Sequence, residues 1–270
     1  WSSDVCSSDL KWKIPCESQY VDVREYMQQQ QIGVEEAARI LRYQVFKDVA
    51  TRLKATHLFL AHHADDQTET VLMRLYRGTG MGGLKGMVPL RAWEGRWLVR
   101  PLLQVWRDEI EAYCHQQKIP YRLDSTNQAL EYERNWLRHQ HIPQLEQLYP
   151  QVKRHIVQLA QLLAAEDEYL ERETKRRWEQ IVNYQEVDQR YEVGRKAWCR
   201  THIALQRRLV KLILNCLSPT THIGRVHVDQ VIHFMESDKT TGVLHLPERL
   251  RVQCSYEYVY FYQESDRLQR

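Results

Sequence analysis

The sequence predicts an α/β fold: a parallel sheet with flanking helices, followed by a mostly helical second half and a small C-terminal β element. In the first half, short apolar runs at Thr56–Ala61 and Trp97–Leu102 alternate with helical patterns, as is typical of βαβ units. After about Arg134 helical patterns dominate, and near the C-terminus short β-type runs with turn residues between them appear. The 270 residues are enough for two domains.

Each element follows from its local pattern. Residues 34 to about 53 predict an amphipathic helix with Ala37, Ile40, Leu41 and Val45 on one stripe. Pro101 ends the second apolar strand, and a helix follows from about Val105 to Gln117. The other predictions are a short strand at Ser18–Val23, helices at Val152–Leu163, Thr201–Leu217 and Val228–Met235, and strands at Gly242–Pro247, Leu250–Cys254 and Tyr256–Tyr262.

Composition excludes several classes of protein. No run approaches the roughly 20 apolar residues of a membrane helix, and no basic-then-apolar signal pattern opens the chain. None of the six cysteines stands in a C-x-x-C spacing, which argues against a zinc ribbon, an iron–sulfur cluster or a thioredoxin-like site. Scattered cysteines suit a reducing compartment, so we expect a cytoplasmic protein without a membrane segment.

The most informative stretch is HHADDQTETVLMRLYRGTGMGGLKGM, which runs from His62 to Met87. Asp66 and Glu69 are three residues apart at the start of a predicted helix and therefore share a face. They follow a predicted strand, at the sheet edge where α/β proteins bind ligands. Such a pair suits Mg²⁺ on a nucleotide or an ammonium group. The alternative is structural: Asp65 caps the helix, and the two acids complement its dipole.

His62 and His63 do not indicate a metal site. Neighbouring residues on extended backbone point in opposite directions, and the H-E-x-x-H spacing is absent. We therefore predict no protein-bound metal here, and expect hydrogen bonds from these rings instead.

Two further segments admit both structural and functional interpretations. Arg77–Gly83 is either a glycine cap with a flexible loop or a mobile loop whose amides approach a phosphate. Asp124–Asn127 is a polar turn or cap set. Arg134 and Arg138, which share a helix face, either pair with local acids such as Glu131 and Glu133 or face phosphates.

Basic residues cluster in the second half of the chain, although the formal net charge is only +3. They either solvate helix faces or form a surface that contacts phosphates. The members are Lys175, Arg176, Arg177, Arg195, Lys196, Arg200, Arg207, Arg208 and Lys211.

Several sequence blocks together resemble one family. They are EEAARILRY from Glu35, HHADDQTET with RGTG downstream, RPLL from Arg100, DSTN followed by RNWLR, and the C-terminal GVLHLPERLRVQ. In this order they resemble the tRNA(Ile)-lysidine synthetases of the PP-loop (N-type) ATP pyrophosphatase superfamily, over about Lys13 to Tyr262.

The resemblance implies an ATP-dependent carbon–nitrogen ligase. ATP would adenylate C2 of the wobble cytidine of a tRNA(Ile) with a CAU anticodon, and L-lysine would displace AMP, which changes the codon and amino-acid identity of the tRNA. ATP and Mg²⁺ are the implied cofactors, and a homodimer is one option for the assembly.

The resemblance also implies roles for individual residues. Asp66 and Glu69 would bind the lysine amine, and Arg134 would stabilise the phosphate or the tRNA, as the catalytic residues. The implied substrate-binding residues are Asp65, His63, Arg77, Gly78, Asn135 and Arg138. The implied ATP-binding residues are Gly80 and Arg42.

One departure stands out. The ATP loop of that family, S-G-G-x-D-S, occurs nowhere in the sequence, and the Ser/Asp-rich residues 1–10 look foreign where it would be expected. We therefore expect an N-terminally truncated chain. The expected domains are a foreign or disordered tail (1–10), a partial PP-loop catalytic domain (11–140), a helical linker (141–190) and a tRNA-binding domain (191–270).

Three alternatives remain open at this point. The first is another PP-loop enzyme, such as a tRNA cytidine thiolase, although the C-x-x-C cysteines of that family are missing. The second is an inactive tRNA-binding remnant. The third is a metal-dependent hydrolase built on His62, His63 and Asp66.

Overall fold

The computed structural model describes residues 15–121, 133–219, 223–237 and 241–264. The chain divides into two compact units, residues 1–164 and 165–270. Their boundary falls within one 30-residue helix, Val152–Ile181. The finer division at residues 10, 140 and 190 stays a prediction.

The first unit contains seven α-helices among its described residues before that long helix. They are α1 (Val23–Gln30), α2 (Val34–Arg52), α3 (Ala64–Tyr76), α4 (Met81–Leu84), α5 (Arg107–Gln116), α6 (Glu133–Trp136) and α7 (Ile142–Leu148). A π-helix, Leu137–His141, joins α6 to α7, and the long helix Val152–Ile181 is α8. The helices predicted at residues 34–53 and 105–117 are confirmed as α2 and α5. The apolar stripe of α2 is less buried than expected, since of its four residues only Ala37 is fully buried.

The strand predicted at Ser18–Val23 is wrong. Residues up to Asp22 have no regular structure, and α1 begins at Val23. The Asp22 carboxylate accepts a hydrogen bond from the Glu25 backbone N–H at 2.9 Å. An aspartate in this position satisfies a free N–H group at the start of a helix, and this cap outweighs the short alternating pattern before it.

The first unit has a mixed three-stranded sheet. Strands β1 (His57–Phe59) and β3 (Arg96–Val99) are parallel, with Leu58 opposite Leu98. The predicted parallel pair is therefore confirmed, in the order β1-β3-β2. Strand β2 (Leu90–Trp93) pairs antiparallel with β3. Glu94 and Gly95, both at positive φ (49° and 73°), close this tight hairpin, and two such residues in succession are what a type I′ turn requires.

The second unit is built on a five-stranded antiparallel sheet, in the order β4-β5-β8-β7-β6. Its strands are β4 (Val182–Gln185), β5 (Arg190–Gly194), β6 (Gly242–His245), β7 (Leu250–Cys254) and β8 (Tyr258–Gln263). The last three confirm the predicted C-terminal β element. Strands β4 and β5 were not expected, because their residues are mostly polar and directly continue the helical pattern of α8.

Three further helices belong to the second unit. They are α9 (Arg195–Cys199), α10 (Ile203–Leu217) and α11 (Arg225–Glu236). Helix α10 buries Leu209, Val210, Ile213 and Leu214, and this spacing is that of one helical stripe. The stripe joins Trp198 and residues of the sheet such as Phe261, all at most 1% exposed, in one hydrophobic core.

No helix among the described residues is long and apolar enough to cross a membrane. Cysteines 114, 199, 216 and 254 are free thiols.

A buried glutamine of α3 fixes the turn that precedes β2. The Gln67 side chain donates to the carbonyls of Lys85 (3.2 Å) and Met87 (3.0 Å) and accepts from the Met87 N–H (2.8 Å). Gly86 lies between these residues at φ +64°, and a Cβ there would stand 2.6 Å from Gln67 Oε1. Any side chain at position 86 must therefore displace an amide that makes three hydrogen bonds.

Gly86→Ala should destabilise the protein much more than Gly95→Ala. Both glycines have positive φ, but a Cβ at Gly95 would meet nothing within 4 Å. Each variant carries a backbone cost of roughly 1–2 kcal/mol. Gly86→Ala also disturbs the Gln67 bonds, each worth about 1 kcal/mol, so we expect an excess of about 2 kcal/mol in the free energy of unfolding, measured by urea denaturation.

The Gln67→Ala background separates the two contributions. In that background Gly86→Ala should cost no more than Gly95→Ala, since the amide is gone. An undiminished excess would show that the contact between residues 67 and 86 is not the cause.

Candidate active site

Helix α3 places two acids at its buried first turns. The helix begins at Ala64, and the backbone N–H of His63, just before it, donates to Asp66 Oδ2 at 3.0 Å. Asp66 is 9% exposed and Glu69 1%. Buried carboxylates require charged or hydrogen-bonding partners, so the partners of this pair determine what the site can do.

The partners are the two arginines of the RNWLR block. Arg134 Nε lies 2.5 Å from Glu69 Oε2, and its Nη2 lies 2.9 Å from Asp66 Oδ1. Arg138 Nε lies 2.6 Å from Glu69 Oε1, and its Nη2 lies 3.2 Å from Asp66 Oδ1. We call these four residues the ion cluster. It contains two carboxylates and two guanidinium groups, so its formal charges balance.

The ion cluster decides between the two interpretations of the arginines. Of the two local acids considered as partners of these arginines, Glu133 pairs with Arg77 instead, and Glu131 lies outside the described residues. Burial alone would lower the pKa of Arg134, but Glu69 and Asp66 beside it raise that pKa above its ordinary value. The Arg134 guanidinium therefore stays cationic at any physiological pH.

The π-helix shapes the segment that carries the arginines. Its backbone bonds join residues five apart, and accordingly Trp136 stacks on His141 with ring centroids 5.0 Å apart and planes 15° apart. His141 Nε2 lies 2.5 Å from the Tyr76 hydroxyl at the end of α3. Helix α3 is thus joined to the RNWLR segment at the ion cluster and again two turns later.

Asp65 faces a different set of partners. Its carboxylate accepts hydrogen bonds from the Arg107 backbone N–H and from Lys153 Nζ, both at 3.0 Å. Burial would raise the pKa of Asp65, but the nearby His63 ring and the hydrogen bonds from Arg107 and Lys153 outweigh it and hold the pKa well below its usual range. Lys153 also pairs with Glu146 at 3.2 Å. Asp65 is thus an anion held between α5 and α8.

The glycine segment after α3 is more constrained than expected. Arg74 Nη1 donates to the carbonyls of Gly83 and Gly86, both at 2.8 Å. Gly80 precedes the one-turn helix α4, and Gly78 has φ +74°. Hydrogen bonds from a side chain of α3 to these backbone carbonyls therefore hold the end of the segment in place. The open, mobile loop that the glycine-rich composition favours is not observed.

The remaining predicted site residues are not members of the ion cluster. Arg77 ends α3 with an exposed side chain, and Arg42 is exposed on α2. Asn135 lies between the clustered arginines on α6, partly exposed. The ring of His63 lies 3.6 Å from Asp65 and 3.5 Å from Asp66. Asp124–Asn127 lies outside the described residues.

His62 is half-buried beside the cluster. Its Nδ1 atom has no hydrogen-bond partner among the described residues, contrary to the expected hydrogen bonding. Burial lowers the pKa of this imidazole to about 4, with smaller contributions from Asp66, which raises it, and from Arg100 and Arg134, which lower it. The ring is therefore neutral at pH 7.

Within the described part of the chain, no three residues of His, Cys, Asp or Glu are grouped so as to hold a metal ion. Residues that the sequence did not single out include Gln67, Arg74 and Lys153. Gln67 and Arg74 stand in the motif without a distinguishing pattern. Lys153 is 88 residues from Asp65, and no local signal connects them.

Comparison with known proteins identifies the family. Residues 1–145 match the family model of the PP-loop domain. The chain belongs to the PP-loop family.

The chain is also similar to the tRNA(Ile)-lysidine synthases of two bacteria. That of Bacillus subtilis (strain 168) is 33% identical over 251 residues, covering 92% of this chain and 53% of the relative. That of Geobacillus kaustophilus (strain HTA426) is 33% identical over 252 residues, covering 92% and 54%. The chain spans about half the length of these curated relatives.

Among solved structures, a U34-tRNA thiolase from Methanococcus maripaludis aligns at 20% identity with a TM-score of 0.39, over 47% of this chain and 43% of that chain. The likeness is too weak to bear on function.

Protonation of His62 should oppose folding. The unfolded imidazole binds a proton as the pH falls below about 6.5, while the folded one stays neutral down to about 4. Stability should therefore fall between these values, by at most about 1.4 kcal/mol per pH unit, and should level off below them. His62→Gln should lack this loss, so the wild type should lose stability relative to the variant as the pH falls.

Urea denaturation of both proteins between pH 7.5 and 4.5 tests this expectation. His57→Gln, at an exposed position of β1, is the control for losing a histidine. A constant difference between wild type and His62→Gln across this range would contradict the burial of a neutral His62.

Proposed function

We propose that the protein is a tRNA(Ile)-lysidine synthetase, which ligates L-lysine to C2 of the wobble cytidine of tRNA(Ile) through an adenylated intermediate. The observation that carries the proposal is the ion cluster: two buried carboxylates on one helix face, held by the two arginines of the RNWLR block. Similarity to curated enzymes of this name supports it. The same proposal includes a cytoplasmic location, and the resemblance alone suggests a homodimer.

The cluster explains how a lysine ammonium can be recognised. Asp66 and Glu69 are the acids in reach of a cation at this site, and both are engaged by guanidinium groups. An incoming ammonium must therefore replace one of them. The Arg134 side chain is 37% exposed and that of Arg138 is 21%, so Arg134 can leave with less loss of buried contact.

Replacement of Arg134 couples the two substrates. The ammonium of lysine would take its place beside Asp66 and Glu69, and the released guanidinium would be free for the phosphate of the adenylated base. A guanidinium suits this second role, because it matches the oxygens of a phosphate in a bidentate manner. Proton transfer is also required, since only a neutral amine can attack. In this proposal the Asp66 or Glu69 carboxylate that holds the ammonium accepts that proton, and the amine nitrogen bonds to C2 as the bond from C2 to AMP breaks. Arg134 returns to the carboxylates after AMP has left and the proton has passed to water.

The residues around Asp65 hold the site in position. Asp65, Lys153 and the Arg107 N–H link the start of α3 to the starts of α5 and α8. We propose that His63, Asn135, Arg138 and the Arg77–Gly78 turn bind the substrates, and that Gly80 and Arg42 bind ATP. The dispersed negative charge of adenylyl transfer needs electrostatic stabilisation above all.

Mg²⁺ does not fit the described side chains. Asp66 and Glu69 are already paired with arginines, and the described ranges contain no group of three ligating residues. We infer that Mg²⁺ reaches the site on the nucleotide phosphates, and we assign no protein ligand to it.

The basic surface for tRNA needs revision. Among the residues first considered, Arg208 pairs with Asp167, which is 1% exposed, and Arg207 lies 3.2 Å from Asp229. Arg177 makes three hydrogen bonds within the protein. These arginines stabilise the second unit. Lys175, Arg176 and Lys211 are exposed and remain candidates for tRNA contact.

A tRNA-binding chain without catalytic activity is the second candidate, favoured by the absence of S-G-G-x-D-S from the sequence. We expect the chain to release neither AMP nor pyrophosphate from ATP with lysine and tRNA(Ile). Without the loop amides the phosphates are not cradled. A chimera in which the corresponding segment of the Bacillus subtilis enzyme replaces residues 1–10 should release pyrophosphate from ATP with tRNA(Ile), and should release AMP when lysine is added.

A tRNA(Ile) transcript with uridine at the wobble position is the control and should yield no AMP. If the unmodified chain and the chimera turn over equally, the S-G-G-x-D-S motif is not needed. If the chimera binds tRNA but never incorporates labelled lysine, the second candidate is favoured over the first.

Glu69→Gln in the active chimera should raise the KM for lysine strongly and leave tRNA affinity nearly unchanged. Loss of one partner of a buried ion pair costs about 2–5 kcal/mol, here in the binding of the ammonium. Lysine-dependent AMP release gives the KM, and urea denaturation records any loss of stability.

Arg138→Gln is the matched control, because it breaks the same cluster but leaves both carboxylates. It should leave the lysine KM unchanged or lower it. If both variants raise the KM equally, Glu69 acts through the integrity of the cluster and does not contact lysine.

A further inference from the structure

The second unit has a small polar cavity at the end of α8. Its volume is about 270 Å³, and it lies between α8 and the turn that joins α9 to α10. This volume is below the roughly 300–1,000 Å³ of pockets for small molecules, so the cavity suits a single compact group. The lining residues are Glu173, Arg176, Arg177, Gln180, Arg200, Thr201, His202 and Leu205.

The lining is strongly basic. It contains three arginines against one carboxylate, that of Glu173, which gives a formal charge of +2. Arg176 and Arg200 are exposed, and neither forms an ion pair or side-chain hydrogen bond with the other described residues. Two guanidinium groups that converge on one cavity without a carboxylate partner are suited to an external anion.

Arg177 lines one side of the cavity, and hydrogen bonds hold its guanidinium group in place. Its Nε donates to Thr201 Oγ1 at 2.9 Å, its Nη1 to Gln180 Oε1 at 3.1 Å and its Nη2 to the Ala197 carbonyl at 2.9 Å. A guanidinium has five N–H donors, so two remain. Because the group is held on three sides, it would lose little conformational freedom when it binds an anion.

His202 adds a donor of defined direction. Its Nδ1 accepts a hydrogen bond from the Ala204 backbone N–H at 3.2 Å, so in the neutral ring the proton is on Nε2. His202 also precedes the first turn of the 15-residue helix α10, where the helix dipole favours an anion. Donors and positive charge therefore come from three separate elements.

We infer that this cavity binds a phosphate group, and that the phosphate is one of the RNA backbone. The shape and charge alone indicate a phosphate; its assignment to RNA rests on the proposed function. A site that binds only a backbone phosphate contacts no base, so it would position the tRNA without recognising its sequence. Arg207 and Arg208 form ion pairs with Asp229 and Asp167. The cavity is therefore a better candidate than this arginine pair for a tRNA contact in the second unit.

The test compares two double variants of the 270-residue chain that remove the same charge. Arg176→Gln with Arg200→Gln removes the two arginines of the cavity without an internal partner. Lys54→Gln with Lys118→Gln removes two exposed charges that neither line the cavity nor belong to the basic residues considered for tRNA contact. For each protein, the affinity for a tRNA transcript is measured between 50 and 200 mM salt.

The arginine variant should bind tRNA more weakly at low salt, and its slope of log affinity against log salt should fall by about one unit. Its affinity should accordingly change about threefold less across this salt range than that of the wild type. The lysine variant should match the wild type. Equal behaviour of the two variants would overturn the assignment to RNA.

A second arm tests phosphate binding directly, without RNA. Inorganic phosphate should shift the backbone amide signals of Ile203 and Ala204 in nitrogen-15 NMR spectra of the wild type, and not those of the arginine variant. The absence of any shift would overturn the phosphate site. A shift combined with an unchanged salt slope would support the site but overturn RNA as its source. Neither arm depends on lysine incorporation, so failure of the ligase proposal is recognised separately.

Discussion

The charge balance of the ion cluster is the constraint on which the first unit depends. Asp66 and Glu69 are buried, and each alone would be costly to keep ionised away from water. Arg134 and Arg138 make that burial tolerable, and they come from a segment 65 to 72 residues away. Helix α3 and the RNWLR segment are therefore held together by charges, while the adjoining hydrophobic contact involves only Leu72, Leu137 and Ile142 as fully buried members.

This dependence connects stability with function. Two buried acids without a cation between them would destabilise the folded protein. A site that keeps those acids paired with arginines when no other cation is bound avoids this loss of stability. Under the proposed function, the arginines take the place of the lysine ammonium while the site is empty. That proposal entails a weaker affinity for lysine than bare carboxylates would give, because each binding event must displace a guanidinium.

The sequence predicted those features that depend on near neighbours. The shared face of Asp66 and Glu69, the shared face of Arg134 and Arg138, and the parallel strands β1 and β3 all follow from local spacing. That the two pairs contact each other does not, since no periodic pattern links residues so far apart. The same limit applies to Lys153 and Asp65. Strands β4 and β5 are not recognisable from their composition, because pairing of β4 with β5 and of β5 with β8 makes them strands. The Ser18–Val23 strand fails for the opposite reason, because the cap that Asp22 provides for α1 outweighs the local alternating pattern.

The π-helix has a consequence for how this segment can vary. A π turn contains one residue more than an α turn, and that residue is what brings Trp136 over His141. Removal of one residue between them would restore α-helical winding and rotate everything that follows by about 100°. His141 would then leave Tyr76, while Arg134, which precedes the π turn, would stay beside Glu69. Leu137 and Arg138 in this segment are constrained by the core and by the ion cluster, and the π turn adds a different constraint: the number of residues in the segment cannot change.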